Sequence, residues 1–132
     1  MTRRSVAFLV AAFAATTAVA ADQPPPELVK VRADFVAAIA RKDQAAVEKL
    51  TAFPLRNTVY RAPKTISAAK FKAQMGMYAA LAACLKSEPL KPAGKTSAAP
   101  KGEWEIDCDG NVVAFGLRGG QWRHTGYENV NE

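Results

Sequence analysis

The stretch from Trp104 to Glu128 restricts this chain more than any other part of it. Two turn dipeptides, Asp109-Gly110 and Gly119-Gly120, cut it into three short β-prone runs. Such dipeptides supply the positive φ angles that two-residue hairpin turns require. The expected product is a three-strand antiparallel meander. Two-residue turns set its register: Trp104 beside Phe115 and then His124, Ile106 beside Val113 and then Gly126, Leu117 beside Trp122. Residues directly opposite share a face. One face then carries Trp104, Ile106, Cys108, Val113, Phe115, Leu117, Trp122 and His124. The other carries Glu103, Glu105, Asp107, Arg123, Thr125 and Tyr127. A slip of one residue would mix the two sets, so the apolar face is the buried one and the rest of the chain must cover it.

The cover comes from upstream, but not from the N-terminus itself. Arg3 and Arg4 precede the apolar run Val6 to Ala15, and Ala18-Val19-Ala20 follows as a small-residue cleavage site. These are the three parts of a secretory signal peptide, and residues 1–20 are read as one, with cleavage after Ala20. The run is shorter than the roughly 20 strongly apolar residues a membrane-spanning helix needs. Thr2-Arg3-Arg4-Ser5 also resembles a twin-arginine signal, but no aromatic-Leu pair follows at the expected place. The expected location is the periplasm or the extracellular space.

Residues 21–26 include three successive prolines and read as a polyproline tether. Residues 27–132 are read as a single domain, long enough for a modest core. Helix one is expected from Glu27 to Arg41, with Leu28, Val31, Phe35, Ala38 and Ile39 on one side. Asp43 is placed to cap a short second helix, Gln44 to about Thr51, which Phe53-Pro54 stops. Leu55 to Arg61 alternates apolar and polar residues and reads as a strand. Ser67 caps a third helix, with Ile66 and Phe71 as its hydrophobic staple. Gly76 interrupts it, and Met77, Leu81, Cys84 and Leu85 continue a helical stripe to Lys86. Lys86 to Gly102 is rich in Pro, Gly, Ser, Ala and Lys and reads as a mobile loop.

Two cysteines remain after the signal, Cys84 and Cys108. In an oxidising compartment an even pair reads as a disulfide. Both lie on apolar faces that must meet, so the bond would staple the third helix to the meander. Closing a loop of about 25 residues is worth roughly 3 kcal/mol in the chain-entropy model.

Helix, helix, strand, helix and three strands make an α+β domain, with helices packed on a curved antiparallel sheet. The Asp-capped helix pair, the strand after it, the third helix and the C-terminal meander resemble the nuclear transport factor two-like, cystatin-like α+β cone superfamily over about residues 27–128. The resemblance implies a helix layer over a curved sheet, often with a pocket between them. Members include isomerases, dehydratases and polyketide cyclases, and many non-catalytic binding or accessory domains. Element order alone selects none of these activities.

Charge is uneven along the chain. Residues 30–101 hold 14 Lys and Arg against four Asp and Glu; residues 102–132 hold two against six. A basic layer over an acidic sheet can steer anionic partners, such as an acidic protein or an envelope surface. Scattered charge of this kind ordinarily serves solubility. Arg56, Arg61, Lys64, Lys70 and Lys72 form no tight basic run, and an exported protein has little access to nucleic acid.

His124 is the only histidine. Acid–base catalysis would need a second group within hydrogen-bond reach. Tyr60, Tyr78 and Asp34 are the candidates, while Asp107 and Tyr127 fall on the other face. There is no phosphate-binding glycine loop, nucleophile elbow, metal-ligand cluster or cofactor motif. The favoured reading is a small exported binding or accessory protein without catalytic activity. Its small apolar or amphipathic ligand would sit in a pocket bordered by Trp104, Phe115, Trp122 and His124. One rival is an isomerase or dehydratase using His124. Another is an inhibitor or immunity-type protein that presents Lys86 to Gly102 to an envelope hydrolase.

Overall fold

A computed structural model describes residues 23–94 and 97–131. The signal segment, its cleavage point and the first residues of the tether lie outside the described residues. The elements in order are α1 (Pro26–Ala40), α2 (Gln44–Lys49), β1 (Thr51–Thr58), β2 (Thr65–Ile66), α3 (Ala68–Phe71), α4 (Met75–Ser87), β3 (Lys91–Pro92), β4 (Trp104–Cys108), β5 (Asn111–Arg118) and β6 (Gln121–Asn129). Helices cover one face of a six-stranded sheet ordered β2-β1-β6-β5-β4-β3. This is the α+β arrangement the sequence implies, with two further short strands, β2 and β3, added to the expected element order.

Local signals set the helix ends. Pro26 opens α1 at a position where its missing N–H costs nothing, so the tether is one residue shorter than expected. The Asp43 carboxylate accepts from the Ala46 N–H, and the Ser67 hydroxyl accepts from the Lys70 N–H. Lys72–Gln74 forms a turn of 3-10 helix between α3 and α4, so the break falls just before Gly76.

The meander forms with the expected pairs Trp104–Phe115, Ile106–Val113, Phe115–His124 and Leu117–Trp122. It departs from expectation beyond His124. Phe115 faces His124 but Ala114 faces Gly126, so Thr125 is an extra residue in β6. One extra residue inverts the alternation downstream. Tyr127 therefore stands opposite Val113 and joins the core, where the polar face was expected. Leu117 also departs from the expected burial and is 52% exposed, because it sits next to the Gly119-Gly120 turn beyond the buried part of the face.

Three further differences concern the flanks. The sheet is mixed, not purely antiparallel: β1 runs parallel to β6. Residues 59–120 separate these two strands, and a long connection permits either direction. β1 begins at Thr51, earlier than expected, and runs through Pro54 to Thr58. Part of the expected loop is ordered, since β3 pairs with β4 and Leu90 is buried.

Cys84 and Cys108 are disulfide-bonded with their Cα atoms 6.0 Å apart, joining α4 to β4. The core is aromatic at its centre. Phe35 of α1 meets Phe115 edge-on at 5.6 Å and Tyr78 at 6.0 Å. Among the described residues no helix is long and apolar enough to cross a membrane.

Candidate functional site

The four residues expected to border one pocket divide into two pairs. Phe115 and His124 have no exposed surface. A side chain with no surface accessible to a water-sized probe cannot border a cavity that holds a ligand. The expected four-residue pocket is therefore closed, because Phe35, Phe71 and Tyr78 fill the space over β5 and β6. Trp104 and Trp122 are half-buried at the edge of the core.

His124 does have a partner. Tyr78 Oη lies 2.7 Å from His124 Nε2, and His124 Nδ1 lies 2.9 Å from the Ala114 carbonyl oxygen. A carbonyl only accepts, so Nδ1 carries the proton and donates. In the neutral ring Nε2 then accepts, and the Tyr78 hydroxyl donates. Both nitrogens are satisfied. Burial pushes the His124 pKa from 6.5 down to about 4; Arg56 adds to that shift, while the Ala114 contact and Glu103 oppose it. Burial, with the nearby Tyr127, pushes the Tyr78 hydroxyl well above its ordinary value. Each group is held in its neutral form.

Tyr78 was one candidate partner among several. Helical periodicity carries the signal: Phe71, Met75, Tyr78 and Leu85 follow the 3.6-residue repeat and all are buried. The other candidates lie elsewhere. Asp34 is exposed on α1 and pairs with Lys30 at 3.4 Å, and Tyr60 is 66% exposed.

Trp122 borders an open cleft of about 580 Å³ between α1 and the β5–β6 turn. Val31, Leu50 and Trp122 supply apolar wall, while Lys30, Lys49 and Arg123 supply positive charge at the rim beside Glu27 and Asp34. Arg123 is held in place, donating to the Lys49 carbonyl oxygen at 3.0 Å and to Gln121 Oε1 at 3.0 Å.

The opposite face of the sheet holds a feature that sequence reasoning missed. Glu103 was assigned to the solvent side, yet its side chain is only 6% exposed. One carboxylate oxygen accepts from Arg56 Nη2 at 2.9 Å and from the Thr125 hydroxyl at 3.0 Å; the other accepts from Arg118 Nη2 at 3.1 Å. Gly116 and Gly126 make room for it. A Cβ at Gly116 would collide with the Glu103 carboxylate, and one at Gly126 with the Arg56 guanidinium.

No protein-family model matches the chain, and no curated protein matches it by sequence. Among solved structures, a designed protein of the nuclear transport factor two-like type is similar over 75% of this chain and 92% of its own, at 15% identity and a TM-score of 0.41. At that distance it says nothing of function, and the functional reading rests on the chain's own geometry.

Proposed function

We propose that this protein is an exported binding or accessory module whose ligand sits in the Trp122 cleft, not over His124. One observation carries the reading. The sheet face offers an open apolar surface at Trp122, beside the ammonium and guanidinium groups of Lys49 and Arg123. Apolar wall with a few fixed polar groups is the usual make-up of a small-molecule site. The matching ligand is a small amphipathic molecule with an anionic head. The isomerase or dehydratase alternative needs substrate at His124, and the Tyr78–His124 pair has no exposed surface to offer one.

The test uses 8-anilinonaphthalene-1-sulfonate as a fluorescent amphipathic anion, with decanoate as competitor. Saturable binding that decanoate displaces is expected. Trp122→Ala should weaken it about tenfold, the equivalent of 1.4 kcal/mol. Undiminished binding by Trp122→Ala, or no saturable binding by the wild type, contradicts the proposal. Export is supported by the basic, apolar and Ala-x-Ala segments of residues 1–20 together with the disulfide. Intact mass of the exported protein should correspond to a chain beginning at Ala21; retention of Met1 or Thr2 refutes that.

A further inference from the structure

We propose a second binding site, for an anionic saccharide, in the groove between the β1–β2 loop and the end of β6. The groove encloses about 800 Å³ and shares no residue with the Trp122 cleft. Arg56, Tyr60, Arg61 and Lys64 line one side, and Glu128 and Val130 the other.

The loop is built to present its side chains. Its backbone is stapled at both ends: the Asn57 N–H donates to the Lys64 carbonyl at 2.8 Å, and the Asn57 side-chain amide donates to the Pro63 carbonyl at 2.8 Å. Within it, the Ala62 N–H donates to the Val59 carbonyl at 3.1 Å and closes a tight turn. Arg61 occupies that turn at φ 57°, a left-handed conformation that is strained for a non-glycine residue. Glycine would serve the turn better. What arginine adds is a guanidinium, held 5.1 Å from the centre of the Tyr60 ring.

Two features of the groove point to one ligand class. Arg61 and Lys64 have no carboxylate partner among the described residues, and together they outnumber Glu128, the one carboxylate in the groove lining. Tyr60 is a large aromatic ring left 66% exposed, a surface on which the C–H face of a sugar ring can stack. A saccharide bearing carboxylates meets both demands. An extended acidic peptide fits less well. β1 and β6 each have neighbours on both sides, and the β2 edge is two residues long, so strand addition has no edge to use.

The test is calorimetric titration of the full mature chain with tetragalacturonate in low-salt buffer, with cellotetraose and tetraglutamate as controls. Saturable binding of tetragalacturonate is expected, at least about tenfold tighter than either control and weakened by added salt. Arg61→Gly relieves the left-handed residue and removes the charge, so it should retain the fold, checked by thermal unfolding, yet weaken binding about tenfold. Lys64→Ala and Tyr60→Ala should each weaken it about fivefold, and Trp122→Ala should leave it unchanged. Three results would overturn the assignment: no saturable binding, equal binding of cellotetraose or tetraglutamate, or unchanged binding by Arg61→Gly.

Discussion

The two faces of one sheet bury polar groups by opposite means. On the helix side, Tyr78 and His124 pair as neutral groups with no exposure. On the far side, the Glu103 carboxylate is clamped by Arg56, Arg118 and Thr125, with its two arginines 26% and 49% exposed. The difference follows from desolvation. A charge deep in an apolar core costs several kcal/mol, so the inner face holds its polar groups uncharged. At the outer face, guanidinium groups in contact with water can offset the carboxylate. The lesson is that a lone histidine among aromatics marks a neutral structural pair here, and the charged cluster marks the side that is partly wet.

The comparison breaks most visibly at His124. His124→Ala removes a fully buried ring and strands the Tyr78 hydroxyl, so it should cost about 4 kcal/mol in urea unfolding at neutral pH. That cost should depend on pH. The folded ring resists protonation until about pH 4, whereas the unfolded ring accepts a proton near 6.5. Wild-type stability from this group is therefore complete above pH 6.5 and erodes by about 3 kcal/mol as pH falls to 4. His124→Ala lacks that loss, so its deficit should shrink to roughly 1 kcal/mol at pH 4 on the same linkage. A deficit that does not change with pH would show that the ring is not held neutral.

The outer face should respond more weakly. Glu103→Gln keeps the shape but removes the charge that two arginines share. Because both arginines reach solvent, the expected cost is about 1 to 2 kcal/mol, and it should diminish in high salt. A loss equal to that of His124→Ala, or one insensitive to salt, would erase the distinction between the faces. Denaturant midpoints at low and high ionic strength measure it.

Much of the fold, but little of this contrast, was legible in the sequence. Turn dipeptides and alternation determined the hairpin register as far as His124, and the facing apolar surfaces paired Cys84 with Cys108. The bulge at Thr125 left no such trace, because Thr125 suits a regular strand as well as a bulged one. Tyr127 was misassigned for that reason alone. Tyr78 was only one candidate among three because the α4 stripe was phased on Met77, Leu81, Cys84 and Leu85, the first three only partly buried, and passed over Met75 and Tyr78. The Glu103 clamp joins residues as far apart as Arg56 and Thr125, and no local pattern connects them. Its sequence trace is two strand glycines, Gly116 and Gly126, whose missing side chains leave space for Glu103 and Arg56.

The closed inner face is the centre of this account, and the imidazole of His124 reports on it directly. Because the chain has one histidine, its ring signals in ¹H–¹⁵N NMR need no separation from others. The expected result is a neutral ring protonated at Nδ1, with slow exchange of that proton with water and a titration midpoint near pH 4. A ring that titrates near 6.5 and exchanges rapidly with water would mean the face is open, and would return His124 to the wall of a pocket.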